Sequence, residues 1–566
     1  MSPTGGRPPV RLISFCVVAG IIGGLAALGF EGLVELAERF LIGGLGQTHL
    51  PAPGTLDPEL SVPFGLARLW IPAVTTIGGL LSGFIVYRWA PEAAGHGTDA
   101  AINAYHQQGG EVRGRVPLIK AISSALIIGS GGVAGKEGPA AQISVGLGTL
   151  LAKKVGLRGG DRRVIMLASM AAGLAAVFQA PLGMAIFAVE VLYAGMVFES
   201  EALIYTVISA VTGYAVYGMV EGWSPIFVIP AGVGHYEPQA LLAFALLGCL
   251  AGVAATAVPA IFYGTKRLFD RMPGPPHIKP AIGGLAVGLI AMAVPEVLGS
   301  GYGWVELAMA GKLSLLTVGL LLLLKAPAMA LTIGSGGSGG IFAPTVTLGG
   351  LLGAALGLLL AGWFPDLGLQ PGALVIVGMA AVFAGAARTP ISTLIMVAEM
   401  TGGYGLIVPA MLANILSFLV QRMLSARQEE PTLYEAQVET REDSPLHRGV
   451  FVRRALALID DEELPEELRI ADLRLPRLVS MLRFGEPISI AGRDGLLAAV
   501  TVEEGSEIAN HTVAEALGGR PGLVAVALLR EDALEVPRGP SEIRPGDQLL
   551  VVTNRASLEE LRRAAG

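Results

Sequence analysis

Gly129-Ser130-Gly131-Gly132-Val133-Ala134-Gly135-Lys136-Glu137-Gly138-Pro139 recurs, 205 residues on, as Gly334-Ser335-Gly336-Gly337-Ser338-Gly339-Gly340-Ile341-Phe342-Ala343-Pro344. The glycine scaffold is nearly the same; the chemistry inside it differs. The echo continues. Gly173–Phe178 returns as Gly378–Phe383, and Pro181–Glu190 returns as Pro390–Glu399 with a slightly longer offset of 209 residues. A chain that repeats its own backbone punctuation in an apolar context reads as a duplicated membrane protein. Paired, glycine-interrupted hydrophobic segments in the two halves point to a transporter's binding site.

The bulk properties agree. Of 566 residues, 52% are hydrophobic and 15% charged, and the mean hydropathy is +0.62. Soluble domains carry about 25% charged residues. The charge is uneven: residues 431–566 hold 24 acidic and 16 basic side chains, so a charge-poor body precedes an acidic tail. That tail has no lysine, unlike a polybasic lipid-binding segment or a nucleic-acid arm. Cys16 and Cys249 both sit in apolar stretches, which suggests buried packing and neither a disulfide framework nor a metal site. There is no metal-ligand cluster and no phosphate loop ending in Gly-Lys-Ser/Thr. An enzyme is therefore not expected, nor is a cofactor.

Leu12–Phe30 is uncharged and of spanning length, and reads as the first membrane helix in place of a cleavable signal. Many later apolar stretches, such as Leu118–Ile128 and Ile391–Val397, fall well short of the roughly 20 residues a bilayer span needs. Breaks of this kind must face protein or a cavity, because lipid satisfies no backbone group. Five basic clusters give the orientation. They are Arg7 and Arg11; Arg113, Arg115 and Lys120; Lys153, Lys154, Arg158, Arg162 and Arg163; Lys266, Arg267, Arg271 and Lys279; and Arg422 and Arg427. The loops 44–66 and 221–238 hold acids and no Lys or Arg. The positive-inside bias then places both termini in the cytoplasm of a multi-pass cell-membrane protein. The Pro-rich loop Pro273–Pro280 reads as a joint between halves. Past Pro431, a polar linker leads to the short β-type runs Leu496–Val502 and Leu549–Thr553 and a closing helix over Ser557–Ala564. These read as a small α/β module.

Glycine lets backbone N–H groups approach a ligand closely, and proline fits the first turn of a helix. Gly135-x-x-x-Pro139 and Gly340-x-x-x-Pro344 therefore look like loop-to-helix junctions. Their N–H groups and partial positive charge suit a small anion, held weakly enough to leave again. The alternative reading is tight glycine-mediated helix packing. Glu137 is an acid beside such a junction in an apolar span, where carboxylates are costly and usually functional. Ionised, it competes for the anion's place; protonated, it gives up that claim. The other reading pairs it with Lys136 or another base. Glu190 and Glu399 occupy equivalent repeat positions at the ends of apolar helices. They read as structural acids satisfying helix termini or basic loops. The Ser130 and Ser335 hydroxyls read as satisfying local turns.

These residues resemble the CLC family of chloride channels and chloride/proton exchangers. Gly135-Lys136-Glu137-Gly138-Pro139 fits the family's GREGP-type motif with Lys for Arg, and Gly340-Ile341-Phe342-Ala343-Pro344 matches its GIFAP motif. Tyr434 fits the family's anion-contacting tyrosine. The resemblance covers roughly residues 12–436. It implies an all-α multi-spanning fold of about eighteen tilted or broken helices, an antiparallel internal repeat and a homodimer with one anion pathway per subunit. It also implies that Glu137 is the gate, and that His96, Gly135, Lys136, Gly138, Gly340, Ile341, Phe342, Ala343 and Tyr434 line the anion site. Two departures stand out. In Gly95-His96-Gly97-Thr98-Asp99, His96 replaces the serine of the family's GSGIP motif and Asp99 its proline. His96 then either donates an N–H to chloride or faces a cavity or another helix. Val191 stands where family exchangers carry a proton-relaying glutamate; valine carries no proton, which favours a passive channel, although some family exchangers also lack this glutamate.

Val500–Arg563 resembles the C-terminal regulatory domain of RCK/TrkA-type potassium systems, through Glu504-Gly505-Ser506, Val524–Arg530 and Ile543-Arg544-Pro545-Gly546-Asp547-Gln548-Leu549. This implies a dimerising cytosolic sensor with a small-molecule ligand. The expected organisation is a membrane domain over 1–436, with halves near 12–235 and 236–436. A linker and unassigned segment cover 437–490, and the regulatory domain covers 491–566. The expected function is a chloride channel gated by protonation of Glu137. The alternative is a chloride/proton antiporter on the same scaffold, and a non-conducting membrane sensor is a third reading. The partners are a small anion, protons and the bilayer, with no nucleic acid.

Overall fold

The computed structural model describes residues 10–54, 61–62, 65–157, 159–230, 232–234, 236–364, 369–428, 431–441, 443–444, 488–489, 496–503, 505–517, 523–530, 533–535, 537 and 539–565. Arg7, Arg158, Glu504 and the unassigned segment up to residue 487 lie outside them. The chain forms two compact units, Met1–Glu439 and Thr440–Gly566.

The first unit is helical, and its order repeats. The first set is α1 (Val10–Glu38), α2 (Trp70–Trp89), α3 (Thr98–His106), α4 (Val116–Gly129), α5 (Glu137–Lys154), α6 (Gly159–Phe178), α7 (Pro181–Glu190) and α8 (Leu203–Glu221). The second is α9 (Leu241–Arg271), α10 (Lys279–Ala293), α11 (Tyr302–Met309), α12 (Leu315–Gly334), α13 (Phe342–Trp363), α14 (Pro371–Ala387), α15 (Pro390–Thr401) and α16 (Ile407–Ser425). Each helix of one set has its counterpart in the other, so the loop Pro273–Pro280 lies inside the second half, between α9 and α10. It is not the joint between the halves that its proline content suggested. The packing repeats too: α1 lies on α6 and α8 as α9 lies on α14 and α16.

Among the described residues, eight helices are long and apolar enough to cross a membrane. The shorter helices α4, α7, α14 and α15 lie largely inside the bundle. Every residue of α14 from Gly372 to Ala387 is buried. A helix that is apolar all round belongs in such an interior. On α1, by contrast, Leu25 and Leu36 are exposed, as on a lipid-facing helix. Cys16 is buried, but Cys249 is exposed on α9, contrary to the expectation of burial. Its apolar neighbours face outward as well, Leu246, Leu250 and Val253 among them.

The second unit holds an antiparallel sheet in the order β1-β2-β5-β3-β4. Its strands are β1 (Ile488–Ser489), β2 (Leu496–Thr501), β3 (Val524–Arg530), β4 (Ala533–Glu535) and β5 (Gln548–Thr553). Among the described residues, two helices accompany it, α17 (Val513–Leu517) and α18 (Arg555–Ala565). Alternate residues of β2 and β5 (Ala498, Val500, Leu549 and Val551) meet Leu558 and Leu561 of α18 in one core, the period-2 face of a half-buried sheet. The turn into β5 is locked. Arg530 donates through Nε and Nη2 to the Asp547 carboxylate at 2.9 and 2.7 Å, and the Arg544 N–H donates to the same group at 2.7 Å. Gly546 supplies the positive φ of 87° that the turn requires.

Candidate anion site

The two glycine-rich junctions meet. Gly135 N–H donates to Gly340 O at 2.8 Å, and Gly340 N–H returns a bond to Gly135 O at 2.9 Å. This antiparallel bridge sets the N-termini of α5 and α13 side by side. Pro139 and Pro344 each take the third position of their helix, where no N–H is needed. The contact leaves no room for side chains: a Cβ on Gly138 would run into the carbonyl oxygen of His96 and the backbone of Gly340. The loop before α3 joins the same knot. Gly95 N–H donates to Gly337 O at 3.0 Å, and Gly339 N–H to Gly95 O at 3.2 Å.

Glu137 opens α5 and is 4% exposed. The Tyr302 phenol donates to its Oε1 at 2.7 Å. Among the described residues its Oε2 has no hydrogen-bond partner. Lys136 does not pair with it. Its Nζ reaches Glu31 of α1 at 2.7 Å, and Tyr217 hydrogen-bonds the other oxygen of Glu31. Glu31, Lys136, Glu137, Tyr217 and Tyr302 all line one cavity of about 600 Å³.

On the other side of the knot lie His96 and Tyr434. Their ring centroids are 5.5 Å apart, and Phe262 meets the imidazole edge at 5.9 Å. His96 Nδ1 has no partner among the described residues. Ile341 and Ala343 are buried, and the Phe342 ring lies between Phe178 and Phe383, with centroids at 4.4 and 4.2 Å. The first N–H groups of α5 and α13 have no acceptor within their own helices. They therefore sit amid an apolar wall, two aromatic or imidazole rings and one acid. In such surroundings N–H dipoles act more strongly than in water.

Several contributors were not singled out from the sequence. Lys120 is fully buried and donates to Ala93 O and Gly95 O at 3.0 and 2.7 Å. It is thus an interior prop and no longer a loop cation of the basic cluster it was counted in. Lys325, 205 residues on, is its twin and donates to Val297 O and Gly299 O, each at 2.9 Å. These lysines hold two equivalent loops, Gly95-His96-Gly97-Thr98 and Gly299-Ser300-Gly301-Tyr302. Each ends on a hydroxyl that opens a helix. Thr98 bonds the Tyr434 phenol; Tyr302 bonds Glu137. The recurrence of Gly-x-Gly 204 residues on, and of the lysine after it, was the available signal. Asp99 also has a defined place: its Oδ1 accepts the Ala436 N–H at 2.8 Å, clamping the Tyr434 segment to α3.

Glu190 and Glu399 are reciprocal caps. Glu190, at the end of α7, accepts the N–H groups of Ile391 and Ser392 at 3.2 and 2.8 Å and the Ser392 hydroxyl. Glu399, at the end of α15, accepts those of Leu182 and Gly183 at 3.2 and 2.8 Å. Each carboxylate thus meets the positive end of the other repeat's helix. Val191 is buried, and Gln437 Nε2 donates to its carbonyl at 2.9 Å. Ser130 and Ser335 bond carbonyls three residues back, at 3.0 and 3.1 Å. Gly336–Gly340 spells Gly-x-Ser-x-Gly, but Ser338 Oγ is fully buried between Ala93 O and Ser124 Oγ, each 2.9 Å away. No exposed nucleophile results.

The sequence model of the voltage gated chloride channel family matches residues 78–422, and that of the TrkA-C domain matches residues 497–566. The chain belongs to the CLC family of voltage gated chloride channels and carries a TrkA-C domain; it is a multi-pass membrane protein. Among curated relatives, the H+/Cl− exchange transporter ClcA of Vibrio cholerae serotype O1 is 30% identical over 431 residues, which cover 74% of this chain and 88% of the relative. That of Yersinia pseudotuberculosis serotype IB is 29% identical over 426 residues, covering 74% and 86%. Two solved structures share the fold. A slow cyanobacterial Cl−/H+ antiporter has a TM-score of 0.65 at 22% identity, covering 81% of this chain and all of that one. A CLC-type fluoride/proton antiporter has a TM-score of 0.61 at 20% identity, covering 76% and 98%.

Proposed function

We propose that this protein exchanges protons for chloride or a related small anion, with Glu137 as the group that competes with the anion and takes the proton. The observation that carries the reading is the Glu137 carboxylate. It is buried at the paired N-termini of α5 and α13, tethered through one oxygen and, among the described residues, unpartnered at the other. Ionised, it places negative charge where the helix dipoles favour an anion; protonated, it leaves that position to the anion. The names of the relatives support exchange over the passive channel that Val191 suggested. The channel reading retains one observation of its own, the apolar, buried side chain at position 191.

Liposomes reconstituted with the protein separate the two. Exchange predicts uphill proton movement driven by a chloride gradient, and a reversal potential that shifts with the pH gradient at fixed chloride. Chloride flux that leaves pH unmoved would mean a channel, and no anion flux at all would leave a membrane sensor. The anion contacts would come from the N–H groups of Gly138, Ile341, Phe342 and Ala343 and from Tyr434, with His96 in the place of the family serine. The reading extends to a homodimer with cytoplasmic termini, no enzymatic activity, transport by residues 1–436 and regulation by a small ligand on residues 491–566.

A further inference from the structure

Exchange takes up protons from the cytoplasmic side, and position 191 holds no proton-binding group. The structure holds one close by. Two residues past Val191, the Tyr193 hydroxyl donates to Glu199 Oε2 at 2.6 Å. Glu199 is 5% exposed and Tyr193 fully buried. The His106 ring meets the Tyr193 ring with centroids 5.6 Å apart, and its Nε2 lies 3.0 Å from Leu192 O. A buried acid, phenol and imidazole therefore surround the chain just after Val191. Glu199 stands at the edge of water, because Ser200 and Glu201 beside it are exposed.

The cluster lies at the end of the membrane unit where α16 finishes. Tyr193 forms a bridge with Val438, and Ala194 N–H donates to Val438 O at 2.8 Å. The adjacent Glu439 pairs with Arg388 and Arg422, on the basic and therefore cytoplasmic side. Among the described residues, the other charges around it include Arg163, whose guanidinium stands 5.9 Å over the Tyr105 ring that packs on His106, and Glu190, already engaged with α15. The cluster is also joined to the anion site. The nine-residue helix α3 carries Thr98 at its start, bonded to Tyr434, and His106 at its end. The two are about 12 Å apart along the axis.

We propose that Glu199, with Tyr193 bonded to it and His106 packed alongside, is the proton-loading site that replaces the carboxylate missing at position 191. This rests on the exchange reading. A hydronium on the cytoplasmic side gives its proton to the Glu199 carboxylate, leaving water and a neutral carboxyl. The carboxyl passes that proton inward, through water, to the Glu137 carboxylate and returns to its ionised form. Tyr193 orients Glu199 and is a positioning residue, while His106 is a second titratable group on the same path.

The test is chloride-driven proton uptake and chloride efflux, measured together on full-length protein in liposomes. Glu199→Gln keeps an acceptor for Tyr193 and removes the titratable group. It should lower the proton-to-chloride ratio by about tenfold or more, with chloride efflux within about threefold of the parent. His106→Gln should lower the ratio less. If Glu199→Gln loses chloride efflux too, Tyr193→Phe, which keeps the ring packing, decides through the same ratio. An unchanged ratio in the variant that still passes chloride overturns the relay and leaves exchange standing. A parent protein that moves chloride without protons overturns both.

Discussion

Glu137 and Tyr302 stand 165 residues apart in the chain and 2.7 Å apart in space. Three predictions belong to this scale. Glu137→Gln removes the charge that competes with the anion, so flux should become insensitive to external pH and proton movement should stop. Retained pH dependence in liposome efflux would assign the gate elsewhere. Tyr302→Phe removes a hydrogen bond to a carboxylate, worth about 1.5–3 kcal/mol. The gate should leave its position more readily, and anion flux at neutral pH should rise several-fold. Unchanged flux would make the phenol a packing group against Phe227, 5.1 Å away between centroids. His96→Ser swaps an imidazole whose Nδ1 has no partner among the described residues for a hydroxyl, so permeability ratios among chloride, bromide and nitrate should change. Constant ratios would mean that the ring serves only Tyr434 and Phe262. The motif residues were legible because glycine spacing is local and recurs in the second half. Tyr302 and Lys120 were not, because a lone Tyr or Lys carries no spacing of its own; Asp99 stood out as a departure from its motif, but its partner Ala436, 337 residues on, did not. Only the recurrence of Gly-x-Gly and of the lysine after it pointed toward the first two.

Helix ends organise the next scale. α5 and α13 present their N-termini to one another, and α7 and α15 exchange carboxylate caps. These pairs reproduce one two-fold relation, visible in sequence as the offsets of 205 and 209 residues. The equivalence of Glu190 and Glu399 was readable; their reciprocity was not, because it depends on one half being inverted against the other. Glu190 is wholly buried, whereas Glu399 is partly accessible. Glu190→Gln turns an amide donor toward N–H groups that need an acceptor, and should cost about 2–3 kcal/mol, against roughly half that for Glu399→Gln. The check is the apparent melting temperature of each variant in detergent. A Glu190→Gln protein that melts with the parent but no longer moves protons would make Glu190 a carrier and not a cap.

At the scale of the whole chain, two units of different composition share one sequence, a charge-poor helical body and an acidic α/β tail. The composition step near Pro431 marks the change of character, but the packing of the body runs on past it. Val438 accepts from Ala194, and Glu439 pairs with Arg388 and Arg422. Removing everything after Gln437 would strip these contacts from the membrane unit, and Arg388, only 4% exposed, would lose its carboxylate. Deleting one partner of a fully buried pair costs about 3–5 kcal/mol; Glu439 is 45% exposed, so solvent screening makes the cost here smaller. A chain ending after Glu439 keeps them all. The two truncations therefore make opposite predictions. The shorter chain should be less stable in detergent and vary in flux from one preparation to the next. The chain ending at Glu439 should match the full-length protein in melting temperature and anion selectivity, and differ only in how flux responds to cytosolic solutes. Loss of the ion pathway from a folded protein ending at Glu439 would show that the tail is part of the transport machinery. Equal stability of the two truncations would show that Val438 and Glu439 add nothing to the body.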